Sequence, residues 1–200
     1  MTMYSKNTFR VIEFLLRNRT SEFNVNQIAK DLKMSLGGVH KILKSLFTKG
    51  IVAKEELGNA TYYSMNLQDK EAKKLSELVL IEAKTRLLNS NSRAKVYASD
   101  LEKAGNFAKA MILFGSILDV KAKARDVDVL FLVEKKDVKK VEDFCLEISA
   151  IRPKQVIPMI MTVGDFQRNL KKADKVVAEI LRKGIVLAGE DVIVNSLEGE

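Results

Sequence analysis

Residues 25–65 read VNQIAKDLKMSLGGVHKILKSLFTKGIVAKEELGNATYYSM, and the punctuation in this stretch decides the fold of the N-terminal third. Asn24 stands before it as a helix cap, with Ile28, Ala29 and Leu32 at helical spacing behind. Lys33-Met34 makes a short turn, after which the Ser35 hydroxyl can cap a second helix. In that helix Leu36, Val39, Leu43 and Leu46 form one apolar stripe. Gly50 stops it, and IVAKEEL and TYYSMNL, on either side of Gly58 and Asn59, read as two strands. Upstream, Phe9, Ile12, Leu15 and Leu16 predict a helix from about Lys6 to Arg17, ended by the polar turn NRTSEFN. The order is helix, helix, helix, hairpin.

This stretch resembles the winged helix-turn-helix of many prokaryotic transcription regulators, over about a fifth of the chain. The resemblance implies duplex DNA as partner, with the second helix of the motif presented to a major groove. If Val39, Leu43 and Leu46 are buried, then Gly37, Gly38, His40, Lys41, Lys44 and Ser45 face outward. Small residues near the helix start permit close approach, beside Ser35. Lys41 and Lys44 suit phosphate or guanine, and neutral His40 can exchange a hydrogen bond with a base edge. Lys54, near the wing, can touch an adjacent backbone. The other reading of the same residues is a protein-binding module whose lysines merely solvate a helix face.

From Asp69 the pattern is helical through EAKKLSELVLIEAKTRLL, with Leu75, Leu78 and Ile81 as a stripe widened by Val79 and Leu80. NSNSR near residue 90 reads as a polar break. The expected organisation is a winged domain over 1–68, a linker and dimerisation helix over 69–92, and a second domain over 93–200. In the last, a helix from about Ala94 to Asn106 precedes the apolar run AKAMILF, then Gly115-Ser116, then DVDVLFLV. KKDVKKVEDFCLEISAI reads as a helix, QVIPMIMT as a buried strand, GDFQRNLKKADKVVAEILRK as one helix and GIVLAG as a last short strand. The fold class is α+β, with a mixed sheet in the C-terminal part.

Residues 108–133, AKAMILFGSILDVKAKARDVDVLFLV, resemble the DNA polymerase beta-like nucleotidyltransferases, in particular their minimal members. The resemblance implies that Gly115 lets the backbone approach a nucleoside triphosphate and that Ser116 and nearby amides hold its phosphates; the segment ILDVKAKAR departs from the family in lacking its glycine and serine, but its Lys121, Lys123 and Arg125 can still contact phosphate. Asp126 and Asp128, alternating along a strand, would project to one side and hold magnesium, and they are the catalytic pair if the domain is active. The family's third carboxylate comes from a later strand. Here that strand, QVIPMIMT, has no acid, and Asp165 lies beyond it at the start of a helix, so the general base is missing from its place.

Charge and composition bound the rest. Net charge is +8, and residues 1–68 hold 10 Lys/Arg against 5 Asp/Glu, a local excess that favours polyanions. With one cysteine, Cys145, and one histidine, His40, an internal disulfide and a Cys/His zinc cluster are excluded. Cys145 reads as a small core hydrophobe, and the seven methionines as irregular core filling. No apolar run approaches a membrane span and the start lacks a signal-peptide core, so a cytoplasmic location is expected. The reading is a homodimeric DNA-binding regulator whose nucleotidyltransferase-like domain senses a ligand or is inactive. The alternative is an active magnesium-dependent transferase moving a nucleoside monophosphate to a protein, RNA or small-molecule hydroxyl, with a toxin-antitoxin context left open.

Overall fold

The computed structural model describes residues 4–19 and 22–198; residues 20 and 21 of the expected polar turn lie outside them. Helix α1 spans Lys6–Arg17, capped by Ser5, whose hydroxyl accepts from the Thr8 amide at 3.2 Å. Strand β1 is the pair Phe23–Asn24. Helix α2, Val25–Leu32, begins with a capping box in which the Asn24 side-chain oxygen Oδ1 accepts from the Gln27 main-chain amide while the Gln27 side chain accepts from the Asn24 main-chain amide. Two orphan donors are thereby satisfied at once. Lys33, in the left-handed region at φ 52, closes α2. Helix α3 spans Leu36–Thr48 under a Ser35 cap, and Gly50 at φ +73 turns the chain into β2, Val52–Leu57. Strand β3, Ala60–Met65, returns antiparallel, giving the sheet order β1-β3-β2. Three helices with a hairpin at their edge form the expected winged arrangement. The two-residue strand β1 extends it, and only its pairing with Tyr62 and Tyr63 reveals it.

Helix α4, Lys70–Ser90, starts at an Asp69 cap. It is more than the expected linker, since it buries Leu75, Val79, Leu80 and Ala83 against α1, strand β7 (Ile185–Ala188) and helix α9 (Glu190–Ser196). Leu78 and Ile81, assigned to the same stripe from sequence, face solvent instead. The polar break at residue 90 is also no linker. Asn91 is buried, caps helix α5 (Ser92–Leu101) by accepting from the Ala94 amide, and donates to the carbonyls of Ile117 and Leu118. A short 3-10 turn, Glu102–Asn106, completes the helix expected to reach Asn106.

The C-terminal sheet is built from β4 (Ala108–Phe114), β5 (Val127–Val133), β6 (Val156–Met161) and β7, in the order β6-β5-β4-β7. β5 pairs antiparallel with β4 and parallel with β6, so the sheet is mixed as expected. Helix α6, Val138–Ile151, connects β5 to β6. The segment read as one helix after β6 is two. Helix α7, Val163–Lys171, ends before Ala173 at φ +50, and Asp174 caps α8, Lys175–Lys183, by accepting from the Val176 and Val177 amides at 3.0 Å.

Both faces of the sheet are covered, which is why its strands read as nearly continuous apolar runs. On one face Ala110, Ile112, Leu130, Leu132 and Val186 join Phe9, Ile12, Leu16, Val39 and Leu43 of the winged half in a single hydrophobic cluster. On the other, Met111, Leu113, Val129 and Phe131 pack with Tyr97, Leu101, Val141 and Cys145 beneath α5 and α6. Period-two alternation along β4 and β5 sorts the side chains between the two. Burial pushes the Cys145 thiol up to about 12, leaving it a packing group as expected.

Candidate nucleic-acid interface

Helix α3 is held by Val39, Leu43 and Leu46, all buried, while Leu36, expected in the same stripe, is 52% exposed. Seven residues before Leu43, it shares that residue's side of the helix, but it stands in the first turn, at the helix end. Gly37, His40, Lys41, Lys44 and Ser45 are exposed and Gly38 is half-buried. The helix therefore presents to solvent the face assigned from sequence. Gly38 has a local reason to be small, since a Cβ there would come within 2.9 Å of the Ser35 hydroxyl that caps the helix. Beside Gly37 nothing lies within 4 Å, so that backbone is open to a close partner.

No acid occurs on α3, and among the described residues neither Lys41 nor Lys44 joins a salt bridge. Lys41, Ser45 and Lys49 share a hollow of about 320 Å³ with Tyr4, Ser5 and Thr8 of the α1 end. Lys49 stands over the Tyr4 ring at 4.5 Å. Hydroxyls and ammonium groups converging there suit phosphate oxygens. Sequence reading missed this contribution from Tyr4, Ser5, Thr8 and Lys49. The Ser-x-x-Thr spacing at the α1 start is its one local signal.

Lys54 lies on the outer face of β2. It is spoken for, bonded to Glu56 at 3.3 Å and set 5.3 Å from the Phe47 ring. With Glu55 and Glu56 beside it, the wing carries no local excess of positive charge.

The second group of candidate residues lies at the end of β4. Gly115 follows Phe114 at φ +79, in a 3-10 turn, Gly115–Leu118. Phe114 is the register partner of Asp128, so the turn and the two aspartates meet at one end of the two central strands. A Cβ at Gly115 would fall 2.2 Å from Asp128 Oδ2, so that carboxylate would have to move, and the positive φ itself favours glycine. Burial raises the Asp128 pKa, and the neighbouring Asp126 charge raises it further. Two like charges in this setting are the chemistry of a divalent-cation ligand pair. Ser116, Lys121, Lys123 and Arg125 are exposed around the same turn. Arg93 fixes that loop by donating to the carbonyls of Asp119, Val120 and Ala122.

The third carboxylate is not supplied. Asp165 accepts from the Thr162 hydroxyl at 2.6 Å and from the Thr162 amide, forming the cap of α7, and it is ion-paired with Arg168. These bonds hold its carboxyl below the usual range. Among the described residues no three His, Cys, Asp or Glu side chains are grouped to hold a metal ion.

No protein-family model and no curated protein matches the chain. Solved structures overlap parts of it. The peroxide-sensing gene regulator PerR of Streptococcus pyogenes shares 26% identity over 32% of this chain, at a TM-score of 0.30. This chain spans 47% of PerR, about half its length. A mutant form of Lactococcus lactis ZitR overlaps 53% of this chain and 76% of its own, at 14% identity and a TM-score of 0.35. The adhesin competence repressor AdcR of Streptococcus pyogenes overlaps 76% of this chain and 82% of its own, at 18% identity and 0.33. The winged arrangement is taken from the chain's own helices and hairpin. No helix among the described residues is long and apolar enough to cross a membrane.

Proposed function

We propose that this chain is a transcription regulator that binds duplex DNA through α3, acting as a homodimer on paired half-sites. The observation that carries the reading is the solvent face of α3, where His40, Lys41, Lys44 and Ser45 are exposed on a helix with no acid of its own while Val39, Leu43 and Leu46 anchor it. Lysines on such a face gain affinity by releasing condensed counterions, and groups near the helix start reach base edges. Ser35, Gly37 and Gly38 bring the helix start close, and Lys54 adds at most a weak contact from the wing. In this reading residues 1–68 read DNA, 69–92 connect, and 93–200 respond to a ligand.

Two features support a nucleotidyltransferase-like ancestry for the C-terminal half: Gly115-Ser116 at the end of one strand, and Asp126 and Asp128 at the start of its neighbour. Magnesium would be held by Asp126 and Asp128, and nucleoside triphosphate would meet Gly115, Ser116, Lys121 and Lys123. An active transferase needs a further carboxylate to take the proton of an attacking hydroxyl. Asp165, tied to Thr162 and Arg168, does not fill that role. Sensing is therefore favoured over turnover.

The deciding experiment is selection of duplexes from a randomised pool by the full-length protein, followed by sequencing. Enrichment of a symmetric motif is expected, and recovery of an unchanged pool would sink the reading. Incubation with labelled nucleoside triphosphates, magnesium and protein or RNA acceptors tests the alternative. Labelling that disappears in Asp126→Asn and Asp128→Asn would establish the transferase.

A further inference from the structure

One groove of the C-terminal half touches the Gly115 turn but is not lined by Asp126 or Asp128. It runs between the end of α4, the turn after β4 and helix α8, and encloses about 780 Å³. Its walls are Leu87, Phe114, Leu118, Val176 and Ile180, with Asp119, Lys175, Glu179 and Lys183 as its charged residues. A second hollow of about 430 Å³ shares Leu87 and Lys183 with it and adds Arg17, Arg86, Arg182 and Glu13. Across both, five cations face three carboxylates. The combined shape is an apolar trough opening on a cationic mouth.

We propose that this trough binds an amphipathic organic anion: an apolar body of medium acyl-chain size with a single carboxylate head. The proposal deepens the reading of the C-terminal half as a sensor and rests on it. Volumes of this order accommodate small molecules, and apolar walls with a few charged groups are the usual composition of such sites. The apolar side of the groove, formed by Leu87, Phe114, Leu118, Val176 and Ile180, favours an acyl chain over a nucleobase, whose polar edge would lose its hydrogen bonds there. At the mouth, Arg86 is half-exposed and its partner Glu13, at 2.7 Å, already holds Arg17. A ligand carboxylate can take Arg86 without stranding Glu13.

The site is joined to the DNA-reading half by bonds, not only by proximity. Helix α8 forms one wall, and its last turn accepts from Arg17 of α1 through the carbonyl of Leu181 at 3.0 Å, with Gly184 just beyond at 2.5 Å. Helix α1 in turn packs on α2 and α3. An occupant that biases α8 or draws Arg86 from Glu13 acts on the base of the reading helix. Differential affinity for the two arrangements is what couples the sites.

The test uses the full-length protein and the fluorescent anion 8-anilinonaphthalene-1-sulfonate, displaced by decanoate or by decanol of equal chain length. Decanoate should displace the dye about tenfold better than decanol, because charge-assisted bonds add to burial. Val176→Asp places a charge in the apolar wall, at the second position of α8, where an acid suits the helix dipole. It should retain its thermal midpoint and lose both dye and decanoate. Arg86→Gln should weaken decanoate and leave decanol unchanged. Equal displacement by decanol, or unaltered binding in Val176→Asp, overturns the site. Displacement by magnesium-ATP at lower concentration than decanoate gives the groove to a nucleotide and also overturns it. Saturating decanoate should change affinity for the selected duplex at least about threefold, and an unchanged affinity with decanoate bound overturns the coupling. If no duplex is bound at all, the DNA reading fails while the dye measurement still decides the trough.

Discussion

Arg17 and Leu181 lie 164 positions apart in the chain and are joined by a hydrogen bond of 3.0 Å from the guanidinium to the main-chain carbonyl. The same nitrogen donates to Gly184, and Nε reaches Glu13 at 3.0 Å. Burial lowers the Arg17 pKa while Glu13 works against that shift. The guanidinium remains charged, as arginine does in proteins. Arg17→Met keeps the stem and removes every donor, leaving the Leu181 and Gly184 carbonyls without that donor and Glu13 with Arg86 alone. A loss of about 3 kcal/mol is expected in urea unfolding. A change within error would mean that the two halves are held by apolar packing and by the other polar links, such as Arg19 to the Leu197 carbonyl and Lys73 to Glu198.

Lys41→Ala combined with Lys44→Ala should weaken duplex binding about tenfold, ~1.4 kcal/mol. The slope of log affinity against log salt should fall by about 2 if both lysines meet phosphates. Fluorescence anisotropy at several salt concentrations reads both quantities. Unchanged affinity would remove α3 as the reading element. His40→Ala should instead redistribute preference among sequences, seen by repeating the pool selection.

Asp128 gives a stability prediction with an unusual sign. Its folded pKa is raised by burial and by Asp126, so the protonated form is favoured in the fold. That contribution is present below the unfolded value of about 3.9 and is lost as pH rises through the higher folded value. At neutral pH the charged side chain costs stability, and Asp128→Asn should raise the thermal midpoint slightly. The side chain is half-exposed, so the gain should stay below about 1 kcal/mol. A lower midpoint would show that this carboxylate is holding structure together.

Asp100 behaves the opposite way. It is buried, accepts from Arg152 at 2.6 Å and from Lys103 at 3.1 Å, and these partners lower its pKa against burial. The stability it adds is full above the unfolded value of about 3.9 and is lost as pH falls through the lower folded value. Asp100→Asn should destabilise the protein at pH 7 and flatten the acid limb of a stability-pH profile. An acid limb parallel to the parent's would assign that loss to other groups.

Much of the fold is written in local signals. Asn24, Ser35, Asp69 and Gly50 mark element ends that the structure reproduces, because caps and left-handed turns act within a few residues. The approach of Gly115 to Asp128 is also foreshadowed, by a glycine ending one apolar run and an aspartate starting the next. Other features need neighbours distant in sequence. In α4 the charged positions crowd the stripe, so contacts with α9 and β7 decide that Val79 and Leu80 go inside while Leu78 and Ile81 do not. The break at Ala173 hides in KKADK, where Asp174 caps a helix but reads as one more charged residue. The α9 segment, EDVIVNS, is β-branched enough to pass for loop or strand, and becomes helical with Ile193 and Val194 in the shared core. The hollow between α1 and α3 has only the Ser-x-x-Thr spacing as a local signal, because it exists once the two helices are packed.

The hydrophobic cluster that runs from Phe9 and Leu16 through α4 to Ile112 and Val186 also bears on how such a protein can change over time. Modular regulators trade sensors by recombination when a flexible tether separates the parts. Here a crossover between residues 68 and 92 would inherit half of an interior and need new side chains on both sides to fill it. The winged half and the C-terminal half are therefore constrained to evolve as one heritable unit, with novelty entering by substitution at the groove and at α3 rather than by exchange of parts.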